Sequence, residues 1–584
     1  MEKMGELWPI GKCNWSKFES GAFIRTSNKV KTIITNKVKQ GLLVLLFTSI
    51  GITGTGQEVF ERGTFTSIPS GKHINHSYYG VWNTYFAVED GILIYDHHNE
   101  QWLDPLTASD GLIQYPALLV WENPDTRDVW IVTPDYIFMY DHVSDWMTSH
   151  PLPRDVEFSG EYRLGITDDH VVITSFRSGS DETYSAIFKK NLVSFVTWGV
   201  DSTLDINWNA LEPIPSVDPA LVEIFRNLPV QTLNGGGFDA TGAIHLDNYP
   251  MKSASVVSTL SGNPGFGEVF LGTYGAGVFH QSIRGGDFSA LPFGLLSPDI
   301  MCMTLIDGYL TVGGRAGLTY LKDYEVLYTE AIKDPVLDYS FVSAIDQGSE
   351  DIIIAARGGV FKKGKHADAW KRIISKKDLA SDKIYSVAAG MSGNTMIATE
   401  RNAYLFHESG LILRTLFSGD IDWPVFDINY SDGNYYISTY NGLFIFNEAD
   451  MNFSARISSS AEFQSPGELA AIDPIYESVI VDSVLWASTH RGLIQINLLH
   501  KTGSEILSPH APFKPRGLAV TEKHVWVGSD IGLFSLDRGT HAWRHYTRDD
   551  GLISNFVTDL VANRNYIWLG TNLGLTRIKW QNLY

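Results

Sequence analysis

The chain reads Asp550-Gly-Leu-Ile-Ser-Asn-Phe-Val-Thr-Asp-Leu-Val561 and, after a short polar turn, Tyr566-Ile-Trp-Leu-Gly-Thr-Asn-Leu-Gly-Leu-Thr-Arg-Ile578. These are two short runs of alternating apolar residues, rich in β-branched and aromatic side chains, and they read as strands. The same phrase stands far upstream as Asp110-Gly-Leu-Ile-Gln-Tyr-Pro-Ala-Leu-Leu-Val120, then Asp128-Val-Trp-Ile-Val-Thr133 and Tyr136-Ile-Phe-Met-Tyr140. Thr107 aligns with Thr547, and Asp110–Ile113 with Asp550–Ile553, at one fixed offset. A similar strand follows in both places, so chance is a poor explanation.

Between these copies one turn motif recurs: a small residue, then Gly four positions on, then an apolar strand. It reads Gly313 to Gly317, Ala355 to Gly359, Ser438 to Gly442, Ser488 to Gly492, Gly528 to Gly532 and Gly570 to Gly574. Ala87 to Gly91 fits at the front, and Gly272 to Gly277 fits with one extra residue. Ala398 to Asn402 fits with Asn in place of Gly, which suggests a left-handed turn residue there. Most steps are about 40–45 residues, the period of a β-propeller blade.

Each unit reads as four strands: an apolar inner strand, a second strand with a bulky residue two before the small one, a third after the glycine, and a polar outer strand. The bulky column is Tyr85, Trp130, Phe270, Ile353, Met396, Tyr436, Trp486, Trp526 and Trp568, and the expectation is packing between blades. The expected fold is therefore all-β, a propeller of about eleven or twelve four-stranded blades. Rings typically hold four to eight blades, so two rings are expected. The last unit ends without an outer strand, and Thr64–Ile68 (Thr-Phe-Thr-Ser-Ile) is a spare one. Pairing it with the last blade would close that ring and remove exposed edges. One ring would then hold both termini, with the other inserted into it; a simple tandem pair is the alternative.

Arg25, Lys29, Lys31, Lys37 and Lys39 precede the apolar run Gly41–Thr53, with small residues following at Gly54–Gly56. That order is a secretory signal peptide, and residues 1–56 are assigned to it. The run is too short for a comfortable membrane span, and no stable span is expected after cleavage. Residues 57–200 are assigned to the first blades and 256–584 to the later ones. Residues 201–255 break the pattern as a linker or degenerate blade, with a short helix over Asp218–Arg226 and a hairpin-like Phe238–Pro250. The net charge is −21 over 584 residues, and removing the basic leader leaves the remainder more acidic still. Such a surface repels phosphate backbones, so nucleic acid is excluded as a partner. Of two cysteines, only Cys302 lies beyond the leader, so no internal disulfide is expected.

The Asp-Gly-Leu-Ile-Ser-Asn phrase with its following Ile-Trp-Leu-Gly-Thr-Asn closely resembles the two-component regulator propeller repeat. The resemblance covers most of residues 64–580, most strongly 101–146 and 516–580. That repeat builds the periplasmic sensing portion of bacterial hybrid two-component regulators. Similar repeats occur in secreted propellers, including a surface component of the type IX secretion system. The resemblance implies a periplasmic, cell-surface or secreted bacterial protein, here without the sandwich domain and kinase of the hybrid sensors. It carries over no catalytic residues.

Candidate chemistry is sparse. Asp96-His97-His98, with His73 and His76, is the one histidine cluster, but adjacent residues on a strand end point to opposite sides, which suits joint chelation poorly. No metal and no cofactor are expected. Arg315, Arg357, Arg401 and Arg491 stand in the turns between second and third strands, all on one propeller face, and are the candidate ligand-binding residues. The leading expectation is a non-catalytic binding or scaffold protein taking a glycan, peptide or envelope partner. A propeller lyase or hydrolase with a site at a central channel is the alternative, as is the sensor half of a split two-component system. A carboxylate pair converging on a channel would favour the enzyme.

Overall fold

The computed structural model describes residues 63–583, with breaks at 154–156, 167–169, 180–182, 190–194, 200–211, 214–235, 239–242, 247–254, 264–267, 282–287, 323–324, 331–340, 368, 380, 382, 392, 408–411, 418–423 and 466–473. The leader and the helix expected over 218–226 lie outside the described residues. Eleven antiparallel sheets account for nearly all the described secondary structure, and the helical content is confined to single 3-10 turns. In chain order they are sheet 1 (residues 74–106), sheet 2 (119–151), sheet 3 (158–213), sheet 4 (236–291), sheet 5 (300–330), sheet 6 (342–375), sheet 7 (384–415), sheet 8 (425–464), sheet 9 (477–507), sheet 10 (515–546) and sheet 11 (557–578). Most have four strands in simple sequential order. Sheet 8 gains a fifth strand, Phe463–Gln464, which folds back on Asn452–Ile457. Gly236–Phe238 and Ala243–Leu246 form a hairpin at the edge of sheet 4.

Sheet 11 is completed from the other end of the chain. Phe65–Pro69 pairs with Gly574–Ile578, Phe65 opposite Ile578 and Pro69 opposite Gly574. All five residues of this outermost strand are buried. Gly574 is required there twice over: its φ is +145°, and an added Cβ would stand 2.7 Å from the Ile68 carbonyl oxygen. Sheets 1–4 thus lie, in sequence, between the closing strand and sheet 5.

The repeated phrase has a local cause. Thr107 and Thr547 each open a 3-10 turn, donating their backbone N–H to the carboxylates of Asp110 (2.9 Å) and Asp550 (2.7 Å). Gly111 and Gly551 end those turns in the left-handed region. The two copies pack on each other: a Cβ on Gly551 would sit 3.2 Å from Ser109 Cα. Asn402 departs from expectation, since it is not among the residues with positive φ. Its side chain closes the turn, accepting from Phe417 N (3.0 Å) and donating to Phe417 O (2.8 Å).

Register explains the small residue of the motif. Ala87, Gly272, Gly313, Ala355, Ala398, Ser438, Ser488, Gly528 and Gly570 pair with His76, Thr259, Cys302, Ala344, Ser386, Asp427, Glu477, Gly517 and Asp559 on the inner strands. The space above the small residue receives the first apolar residue of the next inner strand. A Cβ on Gly528 would come within 2.6 Å of Val557 Cγ1, and one on Gly570 within 2.6 Å of Ile300 Cγ2. The bulky column is buried at every position, between neighbouring sheets as expected. Separate apolar clusters fill the junctions between sheets 1 and 2, 2 and 3, 5 and 6, 6 and 7, 7 and 8, 8 and 9, 9 and 10, and 10 and 11. One further cluster joins sheets 1, 4, 5 and 11 through Ile68, Phe86, Phe270, Ile300 and Trp568. The inner strands of sheets 5 to 11 lie side by side in order, and that of sheet 5 also lies against that of sheet 11.

Candidate binding mouth and channel

A cavity of about 900 Å³ runs along the inner strands of sheets 5 to 11. Its rim is made by one recurring backbone irregularity. Six of the seven inner strands shift register after their first residue, between Ile300 and Cys302, Val342 and Ala344, Ile384 and Ser386, Val425 and Asp427, Pro515 and Gly517, and Val557 and Asp559. The extra residue of such a bulge is unpaired and its side chain is re-aimed. Those residues are Met301, Ser343, Tyr385, Phe426, Arg516 and Thr558, and all six line the cavity. Tyr476 lines it from sheet 9 and stacks on Phe426 with ring centroids 5.2 Å apart. The Arg516 guanidinium lies 4.3 Å over the Phe556 ring, and Tyr385 is 42% exposed. The frame around these positions repeats, while the bulged residues differ in size, charge and aromaticity.

Deeper in, the wall carries Asp346, Asp427, Glu477 and Asp559. Each carboxylate accepts a backbone N–H from the next inner strand. Asp346 takes Ala389 N at 2.8 Å, Asp427 takes Ser478 N at 3.4 Å, Glu477 takes Leu518 N, and Asp559 takes Met303 N. Ser386 does the same neutrally, its Oγ accepting Ile428 N at 3.2 Å. In sheets 4 and 1, Thr259 takes Ser77 N (3.1 Å) and His76 takes Val120 N (3.4 Å). These side chains staple one sheet to the next. Burial pushes all four carboxyls above their ordinary range, Asp427 to about 6 and Asp559 to about 7. After burial, neighbouring like charges add to the rise: Asp427 lifts Glu477, and Asp346 lifts Asp427.

Arg315, Arg357, Arg401 and Arg491 occupy equivalent turns of sheets 5, 6, 7 and 9, and all four are exposed. Second-to-third-strand turns lie at the end where inner strands begin, so they share a face with the mouth. Arg315 pairs with Asp299 and Arg491 with Glu505 (2.7 Å). The histidines are dispersed. His73 pairs with Glu89 (3.5 Å) and lies tilted against Tyr274, His76 is the staple described above, His97 stacks on Tyr79, and His98 meets the edge of Trp82. Among the described residues no group of three or more potential ligands could hold a metal ion. The bulge positions were missed in the sequence, although their signal was present as an extra residue between the first apolar residue and the staple position.

No protein-family profile matches the sequence, and no curated protein does. Solved structures do. Its fold is similar to that of PorZ. PorZ, an essential surface component of the type-IX secretion system of Porphyromonas gingivalis, superposes with a TM-score of 0.55 at 11% identity, over 88% of this chain and 87% of PorZ. The extracellular domain of a putative hybrid two-component system from B. thetaiotaomicron also matches, at a TM-score of 0.41 and 14% identity, over 86% of this chain and 70% of that one. A third match is the extracellular domain of a putative one-component system from the same organism, with the same TM-score and identity. No helix among the described residues is long and apolar enough to cross a membrane.

Proposed function

We propose that this chain is an extracellular, non-catalytic β-propeller protein of sensor-like or scaffold type, which binds a peptide, glycan or envelope partner at the mouth of a seven-bladed ring. The ring comprises sheets 5 to 11. The seam between sheets 5 and 11 supports its closure, through Asp559 on Met303 N and Ile300 over Gly570. Sheets 1–4 belong to a second ring inserted ahead of it. The observation that carries the binding reading is the set of bulged residues, which supplies Tyr385, Phe426, Arg516 and their neighbours to one rim on a repeated frame. Aromatic faces and an arginine on a rigid rim are what a recognition surface uses. The carboxylates below are spent on inter-strand hydrogen bonds, which argues against their serving as a catalytic pair.

The test is binding of residues 57–584 to glycan and peptide arrays, repeated with Tyr385→Ala and Arg516→Ala. Loss of the bound species in both variants, with unchanged melting temperature, supports the reading; hits that survive both variants overturn it. One observation favours an enzyme instead: Asp427 and Glu477 adjoin on neighbouring strands with raised carboxyls. Release of reducing ends from a polysaccharide panel, lost in Glu477→Gln, would establish that second reading.

A further inference from the structure

At the opposite end of the inner strands, sheets 1, 2 and 4 enclose a separate cleft of about 500 Å³. Glu268 lies at its base, 6% exposed. It accepts from Tyr79 Oη at 2.9 Å and sits 3.1 Å from His280 Nε2. The Tyr79 ring is stacked flat on His97, with centroids 4.4 Å apart and planes 5° from parallel. A second buried carboxylate, Glu122, fixes the lip: it accepts Val81 N at 2.9 Å and pairs with Arg127 at 3.2 Å. Gly80 lies so close to Glu122 that any Cβ there would collide with the carboxylate. The lip so held presents Val81 and Trp82 to solvent, 53% and 52% exposed. Arg127 already rests 5.3 Å from the Trp82 ring centroid.

The charges in this cleft do not balance. Glu122 is matched by Arg127, whereas Glu268 is met by hydrogen-bond donors and by no lysine or arginine among the described residues. Hydrogen bonds from His280 and Tyr79 outweigh the cost of burial and keep Glu268 ionised. Burial holds His97 toward its neutral form, so its ring adds aromatic surface more than positive charge. A buried carboxylate with spare lone pairs, the Tyr79–His97 ring stack along the wall, and an exposed indole beside the lining residues Val81 and His98 form a setting for a planar cation.

We propose that this cleft seats the guanidinium group of an arginine on a partner polypeptide, with Glu268 as its counter-ion and the exposed Trp82, beside the cleft, as a stacking surface for the incoming chain. An arginine suits the site better than a lysine because its plane can lie along aromatic faces while its N–H groups reach a carboxylate. The site is distinct from the channel mouth, and its occupancy does not depend on that reading.

The test uses the chain over residues 57–584 and ligand-observed NMR with N-acetyl-arginine amide, N-acetyl-lysine amide and N-acetyl-norleucine amide. Arginine amide should bind, lysine amide more weakly, and norleucine amide not at all. Glu268→Gln should weaken arginine amide roughly ten-fold or more, the size of a lost charge-assisted hydrogen bond. Trp82→Ala, at an exposed position that the fold does not need, should weaken it about three-fold. Failure of arginine amide to bind overturns the proposal. So does norleucine amide binding equally well, or affinity unchanged in both variants. If Glu268→Gln lowers the melting temperature, the Trp82→Ala result decides.

Discussion

Replacing Phe65 and Ile68 together with alanine should open the seam of sheet 11. The two side chains leave opposite faces of the closing strand, about 10 Å apart along it. Phe65 packs with Trp526, Tyr546 and Ile578 between sheets 10 and 11, while Ile68 enters the cluster shared by sheets 1, 4, 5 and 11. Truncating a buried Phe costs about 3–5 kcal/mol and a buried Ile about 2–5 kcal/mol. The clusters are separate, so the costs nearly add, to roughly 5–10 kcal/mol against a whole-domain stability of about 5–15 kcal/mol. Hydrogen exchange with mass spectrometry reads the result directly. The alternate amides of Gly574–Ile578 that face the closing strand, in phase with Lys579 N on Thr64 O (2.7 Å), should exchange at least about a thousand-fold faster in the double variant, with smaller effects in each single variant. Protection in sheet 2 should persist. Unchanged protection at 574–578 would refute the claim that this strand holds the last sheet in place.

Three further outcomes follow from the same geometry. Asp559, lifted from 3.8 to about 7, binds its proton more tightly in the folded chain, so its contribution is full below about pH 4 and is lost as pH rises through 7. The change is at most about 4 kcal/mol, and roughly half that once screening along the open channel is allowed for. Melting temperature measured from pH 4 to 8 should fall less steeply in Asp559→Asn than in the wild type. Gly570→Val should lower the melting temperature by the cost of overpacking, about 1–3 kcal/mol, because its side chain meets Ile300 of sheet 5; Gly539→Ala, where a Cβ meets nothing closer than 3.5 Å, should leave it unchanged. Cys302 is buried, and burial followed by the nearby Asp559 charge pushes its thiol well above the ordinary value. Its labelling by an aromatic disulfide should therefore be slow in the wild type and faster in the Phe65/Ile68 double variant, and equal rates would count against a shared seam.

Much of this architecture could be read because it repeats. The glycine spacing, the buried bulky column and the spare strand near Thr64 each follow from local rules that act identically in every unit. What escaped was the pairing across strands. The small residue of the motif was visible, but the reason for its size lies in the next sheet, where Ile300 or Val557 enters the space above it. The staple carboxylates were equally hidden, because Asp427 and Asp559 read as ordinary polar residues until the neighbouring strand's N–H is in view. Asn402 shows a limit of substitution logic. It occupies a glycine position by supplying side-chain hydrogen bonds, with no left-handed backbone. The four arginines are where the strand order put them, on the face of the mouth. The rim itself was written in single extra residues that pattern reading treats as noise.

The pairing of Ile68 with Leu575 also sets a schedule for biosynthesis. The closing strand emerges from the ribosome about five hundred residues before its partner. At about 5–20 residues per second, the interval between them is on the order of half a minute to two minutes. Throughout that time Phe65 and Ile68 have no sheet to join, and every intervening sheet must assemble without them. A chain cut short before Gly574 would leave its first strand unmatched, with two large apolar side chains exposed to proteases and chaperones. The pairing across the fold therefore doubles as a checkpoint, reporting that synthesis has passed Ile578.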